Sequence, residues 1–555
     1  MENLKRSFLI VSLRETISDV MAALRNLTIS GSEEFETLSH TNKSNQIGVK
    51  PRKGLSNEHG KYVVLDQFPV PQWLAVNSSL AQEIARELTA NPKVFAFRRP
   101  SKSSVKIHGL FGLWDFLIIR LNLSSWRILR KEYARILKYL DTNSKLIDYK
   151  IGDVPLGLDI YESILRLGRG TVSLSDQQTY RVIYLALKQY YFFEPLFASK
   201  RIVAVLVSHD NYIGPGLLAH MAFSFKTPVI LANSVSLSMP TAPFQLYEKL
   251  RRFGIYAREI PPSELSAGMS WAESELKERI VGKIGVGMDY QLKSAFTTDR
   301  LNRQTSATDN TKVLILTHDF FDNPHGYGRM LFDDFYLWLE FLSEVSTETN
   351  YEWLIKPHRD YSNLEFQIIN DFVDKFPSIK LVDPETSYHQ LREEGVKFAL
   401  TCYGSAGHEL PLLGFTVINA SYNPHISYSF NIHAKSTSDY RQILLNLPNK
   451  ALDLKDLKEV YQYYFIQKKF IDQDTLMGLS QQKLTRVSQG NPLGGATVEY
   501  LLENSQEIDS AVIRVLRETV SSKLVYSFEN AISAEFQLKV EISESNQEFY
   551  ERLGL

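Results

Sequence analysis

The sequence predicts an α/β protein with two doubly wound domains that face each other across a cleft, and three observations support this fold class. Short apolar runs alternate with helix-length segments in the second half of the 555-residue chain. A strand–helix–strand unit of the same kind lies earlier, over residues 201–233. Hydrophobic residues make up 44% of the chain and charged residues 23%, a balance that is typical of a folded protein.

The predicted elements follow from these runs. In the first half, RIVAVLVS (201–208) and TPVILAN (227–233) predict two strands with a helix at 216–225 between them. In the second half, we predict strands at 312–317, 353–356, 379–382, 396–401 and 416–419. Apolar residues spaced four apart from Leu364 to Phe376 predict a helix, and further helices are predicted at 330–345 and 406–413. Near-continuous apolar strands are typical of parallel sheets that are covered on both faces.

The domain boundaries are predicted from one polar run. Residues 296–311 (FTTDRLNRQTSATDNT) lack apolar periodicity and indicate an interdomain linker. We therefore predict a first domain over 1–298 with helical insertions, a linker over 299–311, a second domain over 312–450 and a mostly helical extension over 451–555.

Composition excludes several classes of protein. The 62 Lys+Arg and 63 Asp+Glu residues give a net charge of −1, which argues against a dedicated nucleic-acid binder. A single cysteine, Cys402, excludes an internal disulfide and a thiolate zinc site. The N-terminal apolar run is too short for a signal peptide, and residues 109–121 are too short to span a bilayer, so we expect a cytoplasmic protein.

One segment leaves the question of membrane contact open. Residues 111–139 mix Trp114 and Trp126 with several arginines and lysines. This pattern fits a basic amphipathic surface on anionic lipid, as in a peripheral protein of the inner membrane face. It also fits a buried helix with an ordinary charged outer face.

Polar residues gather after three of the predicted strands in the second domain, over 317–326, 356–359 and 402–409. Parallel sheets bind ligands at the carboxyl ends of their strands, so these clusters are the candidate site. In the third cluster, the small residues from Gly404 to Gly407 would let a phosphate approach the backbone, with the Ser405 hydroxyl as a donor. Glu409 could accept hydrogen bonds from a ribose. The alternative is a tight turn that is capped by Ser405.

The other two clusters have candidate roles of their own. Lys356, His358 and Arg359 are three potential cations within four residues, and they could stabilise a phosphate leaving group. The alternative is a solvated basic turn. His318 and Asp322 lie in a loop that we expect to line the cleft and to contact the bound ligand. The alternatives are a metal site and a self-capping loop that leads into the next helix.

The first domain offers four candidates for a general base. His209 and Asp210 follow the predicted strand 201–208, and Asp153 and Asp159 lie in IGDVPLGLDIYE (151–162). A surface or capping role is the alternative for each carboxylate.

The order of these motifs resembles a known family. THDFFDNPHG, MLFDDFYLWLEFL, YEWLIKPHRD and LTCYGSAGHELPLLGFTVINA are similar to the carboxyl-terminal domain of bacterial capsule and surface-polysaccharide glycosyltransferases of GT-B fold, the group that includes Kdo- and sialic-acid-transferring relatives. IGDVPLGLDIYESILR and LVSHDNYIGPGLLAHMA resemble parts of the amino-terminal domain of that family. The sequence departs from the family at Arg359, where the related motif has proline.

The resemblance implies two facing Rossmann-like domains and transfer of a sugar from a nucleotide-activated donor to a glycan or lipid-linked glycan. In it, His358 and Ser405 contact the donor phosphate, Glu409 binds the ribose, and a first-domain group acts as base. A CMP-linked donor is favoured, no cofactor is implied, and we expect an inverting, metal-independent displacement. The alternatives are a nucleotide-sugar 2-epimerase and a non-catalytic glycan- or nucleotide-binding subunit of a polysaccharide-assembly complex.

Overall fold

A computed structural model describes residues 10–12, 15, 60–68, 71–97, 102–232, 237–238, 254, 257–258, 260–285, 294–296, 300–326, 330–359, 361–420, 423–454 and 456–470. These residues form two compact units. The first contains the described residues up to Ile164 and from Val172 to Ser238. The second contains Leu165–Thr171 and the described residues between 254 and 470.

The first unit is built on a six-stranded sheet with the order β3-β2-β1-β6-β7-β8. All neighbouring strands are parallel except the pair β7 and β8. The strands are β1 (Tyr62–Asp66), β2 (Asn91–Ala96), β3 (Phe116–Ile118), β6 (Ile202–Val207), β7 (Val229–Ala232) and β8 (Leu237–Ser238), while β4 (Lys150–Ile151) and β5 (Val154–Pro155) form a separate hairpin.

Helices accompany the strands of this unit. They are α1 (Pro71–Glu87), α2 (Lys102–Leu110), α3 (Leu123–Tyr139), α4 (Asn143–Ile147), α5 (Gly157–Leu165), α6 (Gln177–Ala198) and α7 (Leu217–Ser224). The turn at Tyr212–Gly216 leads into α7, and its residues Ile213 and Gly214 have non-helical backbone angles. Apolar side chains of α1 and α2 pack with Val63, Leu65 and Leu206 of the central strands in one buried cluster.

The second unit has a six-stranded sheet with the order β11-β10-β9-β12-β13-β14, and every neighbouring pair is parallel. The strands are β9 (Lys312–Leu316), β10 (Glu352–Lys356), β11 (Ile379–Leu381), β12 (Phe398–Thr401), β13 (Thr416–Asn419) and β14 (Asn431–His433). From β9 the chain adds β10 and β11 on one side of the sheet, and it then adds β12, β13 and β14 on the other side. The position between β9 and β12 is therefore the topological switch point of a doubly wound fold.

The central strands of the second sheet are buried on both faces. Alternate residues of β9 belong to two different cores, with Val313 and Ile315 in one and Leu314 and Leu316 in the other. This arrangement follows from the period of two in a strand and explains why the strands are near-continuous apolar runs in the sequence.

The helices of the second unit are α8 (Pro262–Ile280), α9 (Phe335–Ser346), α10 (Asn363–Lys375), α11 (Tyr388–Glu393), α12 (Ala406–Glu409), α13 (Thr437–Leu445) and α14 (Lys458–Phe465). Short 3₁₀ segments lie at Leu410–Leu413 and Leu447–Lys450, and a π-helical segment at Ile466–Phe470 follows α14. The start of α10 is fixed by a capping box between Ser362 and Glu365.

The structure confirms the α/β class with parallel sheets, and it contains a strand at each of the seven runs that the sequence predicts. It adds β1, β2, β3, β8 and β14 to the two sheets, together with the hairpin of β4 and β5, none of which was predicted. Of the predicted helical extension over 451–555, the described part ends at residue 470, and the remainder lies outside the described residues. Among the described residues, none of the helices combines the length and the hydropathy of a transmembrane span.

The predicted linker differs from the structure. Residues 300–311 pack onto the second unit, because their backbone N–H groups find acceptors there. The buried carboxylate of Glu394 accepts hydrogen bonds from the N–H groups of Gln304 and Thr305 at 2.9 and 3.0 Å, and Glu352 accepts one from Ser306 at 2.8 Å. Helix α8, which lies in the predicted first domain, also belongs to the second unit.

Candidate functional site

A cavity of about 240 Å³ lies at the carboxyl edge of the second sheet, at its topological switch point. The loops that follow β9, β10 and β12 all contribute to it. Its lining consists of Arg279, Ala295, Leu316, Thr317, His318, Lys356, Pro357, His358, Arg359, Tyr388, Thr401, Tyr403, Gly404, Ser405, Ala406 and Glu409. Seven of the eight residues that the sequence suggests for donor binding are in this set.

The exception is Asp322. Its side chain is 57% exposed, and it lies 3.8 Å from the guanidinium of Arg166. It is absent from the lining of the cavity. The structure therefore does not bring Asp322 together with the other candidates.

The turn after β12 is formed by Gly404, whose φ of +122° is a backbone conformation that favours glycine. Ser405 follows and precedes α12. The Ser405 hydroxyl donates a hydrogen bond to Oε2 of Glu409 at 2.9 Å. The other carboxylate oxygen of Glu409 accepts a hydrogen bond from Nε of Arg279 at 2.7 Å. Both members of this ion pair are buried, so Arg279 and Glu409 cancel each other's charge inside the wall of the cavity.

His318 is an uncharged member of the lining. Its Nε2 accepts a hydrogen bond from the backbone N–H of Cys402 at 3.0 Å and lies 2.9 Å from the hydroxyl oxygen of Thr401. Burial, aided by the charge of His358, lowers the pKa of His318 to about 3. Because Nε2 accepts, the ring carries its proton on Nδ1 and can act as a neutral donor.

Lys356 supplies a cation whose protonation is sensitive to its surroundings. Its Nζ donates a hydrogen bond to the carbonyl oxygen of Pro384 at 2.6 Å and lies 5.6 Å from the ring centre of Tyr388. Burial, together with the charge of Arg359, lowers the pKa of Lys356 to about 8. An anion in the cavity would favour the charged form.

Arg359 has more donors than partners. Its side chain is 5% exposed, and Nη1 donates a hydrogen bond to the carbonyl oxygen of Ser294 at 2.8 Å. Nε and Nη2 are buried, and within the described part of the chain they have no hydrogen-bond partner. The carboxylate of Glu385 lies 3.9 Å from Nη1. Buried guanidinium donors that lack acceptors lower the stability of the folded protein, because they have lost their hydrogen bonds to water. A ligand oxygen in the cavity would supply an acceptor.

His358 differs from its neighbours because it is exposed. Its ring lies 6.1 Å from that of Tyr361. The side chains of Lys356, His358 and Arg359 therefore place one exposed imidazole and two buried cations along a single loop.

In the first unit, His209 belongs to a short hydrogen-bonded chain at the switch point between β1 and β6. The Ser208 hydroxyl donates to Oδ2 of Asp66 at 2.5 Å and lies 2.7 Å from Nδ1 of His209. Burial raises the pKa of Asp66 to about 6, against the hydrogen bonds from Ser208 that lower it. While Asp66 is ionised, Ser208 accepts from Nδ1–H, so the tautomer of His209 has its lone pair on Nε2.

The three carboxylates that compete for the role of base have different surroundings. Asp159 is buried and lies 2.8 Å from Nδ1 of His220, and burial raises the pKa of Asp159 to about 6 although His220 opposes this. Burial lowers the pKa of His220, but Asp159 more than offsets this and leaves it raised. Asp210 is fully buried, and Asp153 is exposed between the strands of the small hairpin.

Arg279, Asp66 and His220 could not be identified as site residues from the sequence. Arg279 is separated by 130 residues from Glu409, and Asp66 by 142 residues from Ser208, so no local spacing indicates either pair. Asp66 would have been found if YVVLD (62–66) had been identified as a strand, because it ends that strand. His220 lies on an otherwise apolar helix, where a histidine gives little indication of its partner.

Comparisons with known proteins add little to this geometry. No family model matches the sequence, and no curated protein matches it. Among solved structures, KpsC from Thermosulfurimonas dismutans, a β-Kdo 2,4 transferase, is 14% identical, with 48% of this chain and 80% of that chain covered and a TM-score of 0.28.

Two other solved structures cover more of this chain. The UDP-GlcNAc 2-epimerase from Neisseria meningitidis is 14% identical, with 74% of this chain and 98% of that chain covered and a TM-score of 0.22. A glycosyltransferase from Rickettsia africae is 10% identical, with 74% and 94% covered and a TM-score of 0.23. Likeness at this level carries no functional inference, so function must be inferred from the site.

The buried pair of Arg279 and Glu409 makes a testable contribution to stability. Arg279→Met leaves an uncompensated carboxylate in the cavity wall, and we expect a loss of about 3–5 kcal/mol in the free energy of unfolding. The double variant Arg279→Met/Glu409→Met removes both charges and should recover most of this loss. Chemical denaturation of the two single variants and the double variant measures the coupling. Additive losses would show that the two groups do not interact.

Proposed function

We propose that this chain is a glycosyltransferase of the GT-B type, which takes a sugar from a nucleotide-activated donor and adds it to a surface glycan. One observation carries the proposal: the switch-point cavity of the second unit holds the buried side chains of Lys356 and Arg359 beside the exposed His358. Such a set fits the phosphate of a nucleotide better than it fits a neutral sugar or an apolar ligand. The acceptor class rests on the motif resemblance.

The charge balance of the cavity supports an anionic ligand. Arg279 is neutralised by Glu409, and His318 is uncharged, so neither adds to the net charge. Among the described residues, Lys356 has no carboxylate within 4.0 Å. The cations of Lys356 and Arg359 therefore face the cavity with the carboxylate of Glu385 near them, at 3.9 Å from Arg359, and they can offset the charge that develops on a departing phosphate.

The reaction we propose is a single displacement. The acceptor hydroxyl oxygen forms a bond to the anomeric carbon while the bond from that carbon to the phosphate oxygen breaks. The electron pair of the broken bond stays on the phosphate, where Lys356, His358 and Arg359 offset its charge. The proton of the hydroxyl passes to the base, and attack from the face opposite the leaving group inverts the anomeric centre.

We assign the base to His209. Its hydrogen bond to Ser208 leaves Nε2 with the lone pair that a base needs, and Asp66 stabilises the imidazolium that forms. The three carboxylates are less suited to this role. Asp159 is paired with His220, and Asp210 is fully buried. Asp153 lies in an exposed turn, where no described side chain orients it.

Turnover of the donor tests the proposal. With a panel of UDP-, GDP- and CMP-linked sugars and no acceptor, we expect slow release of nucleotide, measured by chromatography. His358→Ala should lower this rate about 100-fold, because the leaving group loses a partner. His389→Ala is the matched control, since His389 lies outside the cavity lining.

Three results would contradict the proposal. Conversion of a donor into its 2-epimer would identify an epimerase instead. Nucleotide binding without turnover of any donor in the presence of glycan acceptors would indicate a non-catalytic subunit. A rate for His358→Ala within a few-fold of the parent would remove His358 from the reaction.

Replacement of His209 tests the base separately from donor binding. His209→Gln should lower kcat for transfer about 10²- to 10⁴-fold, because the acceptor hydroxyl then keeps its proton. Nucleotide affinity, measured by calorimetry, should stay within twofold, since the cavity lies in the other unit. An equal loss of affinity and rate would mean that the substitution disturbs the fold.

The pKa of Lys356 predicts a pH dependence of nucleotide binding. The group is a cation below about pH 8 and loses its charge as the pH rises through that value. Affinity for a nucleotide should therefore be constant near pH 7 and fall several-fold between about pH 7.5 and 9.5. Lys356→Met should bind more weakly at pH 7 and show no such fall. An unchanged slope in this variant would assign the pH dependence to another group.

A further inference from the structure

The first unit carries a cluster of exposed apolar side chains that its own core does not use. Trp114 is 62% exposed, Leu123 77% and Ile128 48%, and Ile118 is 40% exposed at the end of β3. All four lie within fifteen residues, around the start of α3 and beside β3, which is the edge strand of its sheet. Exposed bulky apolar side chains are normally scattered singly, so four of them within one short segment indicate a binding surface.

Helix α3 places basic residues next to this cluster. Its buried face consists of Leu129, Tyr133 and Ile136. Arg127, Lys131 and Lys138 are exposed, and their spacing puts them on the face opposite the buried one. Leu123 and Ile128 flank the same basic face near its N-terminal end. The exposed side of α3 is therefore apolar at its start and positively charged along its length.

Acidic residues do little to balance this charge. From 111 to 139 there are six arginines and lysines and two acidic residues, a difference of +4, whereas the whole chain has a net charge of −1. Glu132 is held by Arg135 at 2.5 Å and by the hydroxyl of Tyr149. Asp115 is paired with Lys93 at 2.5 Å. The positive charge is thus a local property of this surface.

We propose that this surface, formed by Trp114, Ile118, Leu123, Ile128 and the basic face of α3, docks the first unit onto the headgroups of an anionic lipid bilayer. Leucine, isoleucine and tryptophan side chains are stabilised at the boundary of headgroups and acyl chains, and arginine and lysine side chains are attracted to the negatively charged surface. Nucleic acid offers charge but no apolar layer for Leu123 and Ile128. The proposal does not depend on the proposed catalytic function.

Sedimentation with lipid vesicles tests this surface. The full chain should bind vesicles of phosphatidylcholine mixed with phosphatidylglycerol and should bind vesicles of phosphatidylcholine alone at least about tenfold more weakly. Arg127→Glu/Lys131→Glu should lower binding by about tenfold or more, since each basic residue near an anionic surface contributes roughly fivefold. Leu123→Ser/Ile128→Ser should weaken binding while leaving its dependence on phosphatidylglycerol.

A charge-reversed pair elsewhere serves as the matched control. Lys277 and Lys375 are 67% and 57% exposed on helices of the second unit, and Lys277→Glu/Lys375→Glu should bind as the parent does. Melting temperatures of all variants check that each remains folded.

Three outcomes would overturn the proposal. The first is the absence of binding to anionic vesicles. The second is an equal loss in the control and in the α3 variant. The third is a parent protein that is dimeric and does not bind vesicles, together with a Leu123→Ser/Ile128→Ser variant that is monomeric. This result would identify the surface as an interface between two copies.

Discussion

The central constraint on this molecule is the direction reversal of its second sheet between β9 and β12. Helices cover both faces of a parallel sheet, so polar loops can gather only at the ends of its strands, where they do not interrupt the apolar core. Because β9, β10 and β12 are neighbours, the loops after them meet at one edge, although they are separated by up to about ninety residues along the chain. The cavity is a consequence of this topology.

The chemistry of the cavity follows from how its charges are paired. The ion pair between Arg279 and Glu409 is complete, and His318 is kept neutral by burial and by the N–H group of Cys402. Arg359 keeps two donors, Nε and Nη2, for which the described residues supply no acceptor. This contrast makes Arg359 the most informative residue of the site, and it is the position at which the sequence departs from the family that it resembles.

Much of the second unit could be predicted from the sequence, because its central strands are uninterrupted apolar runs and α10 has a regular amphipathic pattern. The first unit was harder to predict: β2 begins with Asn91 and Pro92, and β3 has three residues. Residues 300–311 show no apolar periodicity in the sequence, because hydrogen bonds from their backbone to distant side chains such as Glu394 hold them on the second unit. Side-chain patterns do not reveal such backbone contacts. The same reason hides Arg279 and Asp66, since their partners are over a hundred residues away.

The most direct measurement is a crystal structure of the protein with the nucleotide that raises its melting temperature most. We expect phosphate oxygens within hydrogen-bond distance, roughly 3 Å, of the Arg359 guanidinium and of at least one of His358 and Lys356. A phosphate bound elsewhere, with Nε and Nη2 of Arg359 still lacking an acceptor, would contradict this expectation.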